Sequence, residues 1–149
     1  MKKVFILLLN LLLTSNFLFA EEYLFCGKHF IASYLDCDVV AIKDNEGLKN
    51  VLLAAAKASK ATVLDYVDYE FTPHGLTMAI LLSESHATIH TYPEHRACFV
   101  DLFTCGENCS SELFDEVMRA YLKPARVCSS ELHRSDQLEV MSEPLASSG

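Results

Sequence analysis

Apolar and polar positions change their period several times along the chain, and each change marks an element. Residues 24–35 are rich in apolar, aromatic and β-branched side chains and predict a strand, which Asp36-Cys37-Asp38 breaks. Leu48, Val51, Leu52, Ala55 and Ala56 recur at helical spacing and predict a helix over 46–59, with Asp44 or Asn45 as its cap. Residues 61–71 predict a strand with interleaved acids, and Thr72-Pro73-His74-Gly75 a turn. Three more strands follow, a buried one over 76–82, one over 87–92 stopped by Pro93, and one over 96–104. A second amphipathic helix spans 109–122, with Leu113, Val117 and Tyr121 on one face and Ser110 or Ser111 as cap; Lys123-Pro124 ends it. A last strand covers 125–132, and from 135 the chain is a polar tail.

The order is β-α-β-β-β-β-α-β. Sequential strands joined by short turns pair antiparallel. The predicted fold class is therefore α+β, a two-layer α/β sandwich with a mainly antiparallel sheet and both helices on one face. The 149 residues favour one domain, and 51% hydrophobic content is enough for a core.

Part of that apolar content belongs elsewhere. Lys2-Lys3, an apolar run from Val4 to Leu13 and a small residue, Ala20, before Glu21-Glu22 have the layout of a secretory signal peptide. Residues 1–20 are thus expected to be a leader for export or membrane tethering, 21–134 the folded domain and 135–149 a tail. Loss of the leader's two lysines takes the net charge from −8 to −10. So acidic a chain with no basic patch is not expected to bind nucleic acid. The six cysteines show no paired C-x2-C spacing, and Cys105-x3-Cys109 is a weak metal signal. Most are expected to be small buried residues, with one or two chemical.

The chemistry concentrates in Leu81-Leu82-Ser83-Glu84-Ser85-His86-Ala87-Thr88-Ile89-His90-Thr91-Tyr92-Pro93-Glu94. Polar groups at this density are costly to bury without a function. A serine hydrolase would need a glycine-flanked elbow around its nucleophile, and no G-x-S-x-G exists. His86, His90 and His95 form a conceivable metal set, but β-branched neighbours and Pro93 favour strand over the helix that His-x3-His spacing needs. The residues also suit the solvated face of an edge strand. A fourth possibility is self-processing. Ser85 attacks the preceding carbonyl, the resulting ester eliminates, and hydrolysis leaves a pyruvoyl ketone. That ketone can form a Schiff base with a substrate amine and draw off electrons.

Glu84-Ser85-His86-Ala87-Thr88-Ile89-His90-Thr91-Tyr92-Pro93-Glu94, with Phe71-Thr72-Pro73-His74-Gly75 before it and Val100-Asp101-Leu102-Phe103-Thr104-Cys105-Gly106 after it, resembles the prokaryotic short form of S-adenosylmethionine decarboxylase. The match runs from about Gly27-Lys28-His29 to about Glu131. The resemblance implies cleavage between Glu84 and Ser85 into a β and an α chain, Ser85 becoming the pyruvoyl cofactor and Schiff-base former. It also implies His90 as proton acceptor in processing, and Cys105 as the proton donor that quenches the substrate carbon. Phe71 and Tyr92 would stack the adenine, and Glu94 would hold the ribose. The resemblance further implies a cytoplasmic homodimer with composite sites, needing neither metal nor pyridoxal phosphate, that feeds spermidine synthesis.

Three departures stand out, the first and the last of which bear on the substrate. Tyr92 stands where the family usually has Trp, and the chain has no Trp. Thr77 stands where it usually has a processing serine, and retains a hydroxyl. The leader implies export, away from cytosolic S-adenosylmethionine. Free arginine or ornithine therefore stands as an alternative substrate, and a secreted, non-catalytic relic as a third possibility.

Overall fold

A computed structural model describes residues 25–135. The expected leader (1–20) and all but the first residue of the expected tail lie outside the described residues. Eight elements follow in the order expected: β1 (Cys26–Leu35), α1 (Asn45–Ala58), β2 (Val63–Glu70), β3 (Leu76–Leu82), β4 (Ser85–Tyr92), β5 (Ala97–Thr104), α2 (Ser111–Leu122) and β6 (Arg126–Ser135). The strands form one antiparallel sheet in the order β2-β3-β4-β5-β1-β6, and together with the two helices this is the expected α+β architecture.

Strand alternation sorts the side chains onto two faces. Phe30 and Tyr34 of β1, Met78 and Ile80 of β3, Ile89 of β4 and Val100 of β5 are buried, in one cluster with Leu48 and Leu52 of α1 and Phe114 and Met118 of α2. Asp44 accepts a hydrogen bond from the Gly47 N–H and caps α1, and Ser110 accepts one from the Leu113 N–H and caps α2. Tyr34 donates to Asp115 of α2 at 2.6 Å, which ties that helix to the sheet.

Three expectations need correction. The inward row of α2 is Phe114, Met118 and Leu122, one step round the helix from Leu113, Val117 and Tyr121. Leu113 is exposed, while Val117 and Tyr121 flank the core. Phe114 and Met118 outsize Leu113 and Val117 and fill the space over the sheet, which sets the helix rotation. β4 begins at Ser85 and not at residue 87, because Ser83-Glu84 is a two-residue hairpin loop and Leu82 already pairs with Ser85. β6 likewise extends to Ser135, which pairs with Cys26.

The second face of the sheet is not covered by any element among the described residues. It exposes Ile31, Val67, Tyr69, Leu81 and Phe99, and polar residues share it. Pairing puts His29, Phe103 and His86 in one row across β1, β5 and β4, and Ile31, Asp101 and Thr88 in the next. Ser33, Phe99, His90 and Thr77 make a third row that runs on into β3.

Candidate active site

The Ser83-Glu84 hairpin places Glu84 and Ser85 at one end of the sheet. A two-residue hairpin ordinarily takes positive φ within its loop. Here the positive φ falls on Ser85, at 150°, a region that side chains with a Cβ avoid. Strain is thus held on the residue whose nitrogen forms the Glu84–Ser85 peptide bond. The Glu84 carbonyl accepts the Cys105 N–H at 3.0 Å, and its carboxylate turns back to accept the Thr62 N–H at 2.9 Å. Gly106 allows this approach: a Cβ there would meet Cys109 Sγ at 2.8 Å and Glu84 Cγ at 3.0 Å. The result is a polarised carbonyl beside a strained serine.

Ser85 and Cys105 line one cleft of about 1010 Å³, together with Phe25, Phe103, Asn108 and Arg134. Cys105 is exposed, whereas Cys109 is buried. Burial, with the nearby Glu84 carboxylate second, pushes the Cys109 thiol above its ordinary range. Of the two, Cys105 is the thiol placed to reach a bound molecule. Phe25, 83% exposed, lines the same cleft as Cys105, a place that one aromatic in a predicted strand does not signal in the sequence.

Thr77, His90, Phe71 and Tyr92 gather at the other end of β3 and β4. Thr77 Oγ1 and His90 Nδ1 share a hydrogen bond of 2.5 Å across paired strands. The His90 ring centroid is 5.9 Å from that of Phe71 and 4.7 Å from that of Tyr92, and Tyr92 packs on Phe99 at 5.3 Å. Glu94 lies in the short 3-10 turn Pro93–His95 that follows, exposed.

The processing role that the resemblance implies for His90 would place it beside Ser85, and within one chain it is not there. β4 runs unbroken from Ser85 to Tyr92, so five residues of extended chain hold the two about 16 Å apart. The same geometry separates His86 from His90, and His95 lies beyond the strand, so the three do not form a metal set. His86 instead joins His29 and Asp101, to which the sequence assigned no role; one donor atom from each lies within 4.8 Å of the others. Alternation along 99, 101 and 103 was the available signal, since it puts Asp101 on the face that carries His86.

Residues 28–135 match the family model described as S-adenosylmethionine decarboxylase. The chain is 35% identical over 113 residues to the S-adenosylmethionine decarboxylase proenzyme of Methanococcus aeolicus, over 76% of this chain and 97% of that one. It is 40% identical over 87 residues to the proenzyme of the same name from Thermodesulfovibrio yellowstonii, over 58% of this chain and 64% of that one. The crystal structure of the adenosylmethionine decarboxylase from Aquifex aeolicus is similar with a TM-score of 0.70 and 30% identity, covering 80% of this chain and 99% of that chain.

Proposed function

The chain belongs to the S-adenosylmethionine decarboxylase family, and we propose that it is a precursor that cuts itself between Glu84 and Ser85 and then decarboxylates S-adenosylmethionine. The observation that carries the first half is the scissile pair itself. The Glu84 carbonyl accepts the Cys105 N–H at 3.0 Å while Ser85 is held at φ 150°. An N–H aimed at a carbonyl oxygen stabilises the charge that develops there during attack.

Ser85 Oγ adds to the Glu84 carbonyl carbon and the C–N bond breaks, leaving Glu84 esterified to Oγ and a free amine at residue 85. Removal of the Ser85 Cα proton then expels Glu84 as a carboxylate. The dehydroalanine that remains tautomerises, and water releases ammonia from it, leaving a pyruvoyl group at position 85. This group supplies a ketone that captures a substrate amine and draws electrons from the bond to its carboxylate. Cys105 holds the proton at Sγ for the carbon left behind, in the cleft that also contains position 85.

His90 is the proton acceptor for the elimination, and it works across a homodimer. The uncovered sheet face is the surface that a second copy fits, since it combines exposed Ile31, Leu81 and Phe99 with the polar rows. Two sheets stacked about 10 Å apart about a twofold axis lying between them and across the strands run in opposite senses. The His90, Thr77, Phe71 and Tyr92 end of one protomer then faces the Ser85 end of the other. Phe71, Tyr92 and Glu94 bind the adenosyl part from that side. The product is an aminopropyl donor for spermidine synthesis.

Intact mass spectrometry tests the first half. Two fragments are expected, the second lighter by ammonia than plain hydrolysis would leave it. Ser85→Ala should give one uncut, inactive chain. An uncut wild-type chain would leave only a non-catalytic relic of the fold. Release of labelled carbon dioxide from S-adenosylmethionine, arginine and ornithine tests the second half. Release from a basic amino acid alone would assign the alternative substrate.

A further inference from the structure

The self-cleavage proposed above needs a group to take the Ser85 hydroxyl proton before Oγ can attack. Glu84 does not supply it, because its carboxylate is bonded to Thr62. His90 of the same chain sits at the far end of β4, and across the dimer proposed above His90 is already the acceptor for the later elimination. His86 meets the need: its Nδ1 is 3.1 Å from Ser85 Oγ. On the other side of the ring, His86 Nε2 is 3.7 Å from Asp101 Oδ2, and His29 Nε2 approaches the same carboxylate oxygen at 3.7 Å. The second oxygen of Asp101 accepts from the Thr88 hydroxyl, which fixes the carboxylate on the sheet. The rings of His29 and His86 flank Phe103, at 5.5 and 5.8 Å, and the Arg134 guanidinium lies 4.3 Å over that same ring.

We propose that His86 is the base of the acyl shift, with Asp101 as its positioning residue, and that this work is separate from the elimination assigned to His90. The inference rests on the self-processing reading. For Nδ1 to accept, the ring proton must sit on Nε2, and the Asp101 carboxylate facing Nε2 favours that tautomer. The same charge stabilises the imidazolium once it forms.

The proton balance closes within the site. The O–H bond of Ser85 breaks toward Nδ1 as the bond from Oγ to the Glu84 carbon forms. The carbonyl electrons move onto the oxygen held by the Cys105 N–H. Collapse of this intermediate expels the Ser85 nitrogen, which takes the proton from Nδ1. No metal, oxidant or second substrate enters the step.

A pulse-chase of freshly translated full-length chain tests this, with hydroxylamine as the probe because it cuts esters and spares amides. In a His90→Ala background the chain should stall as the ester, which hydroxylamine cuts at 84/85. Adding His86→Gly should slow ester formation on the order of 100-fold, the usual scale of a lost general base. Free imidazole should restore part of the rate. Asp101→Asn should slow the shift when His86 is present and add nothing once His86 is glycine, the non-additivity of groups that act as one unit. An ester formed by the His86→Gly chain at the parent rate would overturn the proposal. So would a slow variant that ignores imidazole and is slowed further by Asp101→Asn, since that pattern marks loss of structure. A wild-type chain that is never cut, with or without hydroxylamine, would sink self-processing itself. A wild-type chain that is cut while His86→Gly keeps pace would remove only His86.

Discussion

The Cys105 N–H points at the Glu84 carbonyl oxygen, 3.0 Å away, so under the proposed mechanism a single residue would serve two steps with two different groups. Its backbone would polarise the Glu84–Ser85 bond, and its side chain stands in the cleft that also holds Ser85, where the proposed reaction would protonate the substrate carbon. The two roles separate by substitution. Cys105→Ala keeps the N–H and should cleave at close to the wild-type rate, yet lose most turnover. Cys105→Pro deletes the donor and should slow cleavage by roughly 10²–10³, as loss of an oxyanion donor does elsewhere. Gel time courses of both variants, with thermal melts to confirm folding, read this directly. Equal cleavage by the two would remove the backbone role.

Strain at Ser85 makes a prediction about stability. At φ 150° a Cβ is disfavoured, and glycine is not. Ser85→Ala and Ser85→Gly both remove the nucleophile and should remain uncut. The glycine variant should nevertheless be the more stable by about 1–3 kcal/mol, the cost of holding a non-glycine residue in such a region. Urea midpoints of the two uncut chains give the difference. An alanine variant of equal or greater stability would mean that Ser85 stores no strain.

Much of this could be read from residue order, for identifiable reasons. Alternation in β1, β3 and β5 and the 3.6-residue period of α1 are local patterns, so the elements and the fold class follow from them. The facing of α2 was missed because Leu113 and Phe114 are both apolar, and only the packing over the sheet selects Phe114. Ser85 and Cys105 stood out by motif, and the fold brings them into one cleft. The distance between His90 and Ser85 was not legible, because a motif records identity and spacing but not whether the chain between two residues turns. His86 with Asp101 is a pairing across β4 and β5, and register between strands is invisible until the hairpin at Ser83-Glu84 sets it.

The buried thiols should differ sharply from the exposed Cys105. Cys98 is fully buried, and its hydrogen bond with Cys37, followed by burial, pushes its pKa far above the ordinary thiol value. A group whose folded pKa is raised contributes stability that is whole below its unfolded pKa, about 8.5 for a thiol, and falls as pH rises beyond it. The same bond holds Cys37 below the ordinary thiol value, and Cys37 works in the opposite sense, so the fall between pH 7 and pH 9.5 belongs to Cys98 and should be shallower in Cys98→Ala than in the wild type. Alkylation at pH 7 should modify Cys105 while sparing Cys98 and Cys109. Equal pH slopes in the two proteins would show that Cys98 is not the titrating group.

Phe71 and Tyr92 flank His90, but they are not equally available. Tyr92 packs between His90 and Phe99, whereas Phe71 is 43% exposed. A flat base can therefore stack more freely on Phe71. Phe71→Ala should raise KM about tenfold, in line with the 0.5–1.5 kcal/mol of an aromatic pair plus lost contact area. Tyr92→Phe should change it little. The reverse order in steady-state kinetics would place the base against Tyr92.

The separation of Ser85 from His90 along one straight strand leads to the most decisive test of the dimer. If each site takes Ser85 from one protomer and His90 from its partner, each variant alone leaves every site short of one of the two. Ser85→Ala has no nucleophile, and His90→Ala stalls before elimination. Co-expressed with different tags, the two should form mixed dimers in which one site has both groups. In that site the His90→Ala chain supplies Ser85 and the Ser85→Ala chain supplies His90. Only the His90→Ala chain should then be cut at 84/85, and in proportion to the fraction of mixed dimers. Adding Thr77→Ala to the Ser85→Ala chain should weaken the rescue, because Thr77 holds His90 Nδ1 from within the same protomer. No cutting in verified mixed dimers would show that His90 does not act across the sheet face, and would require a proton acceptor from within the chain that carries Ser85.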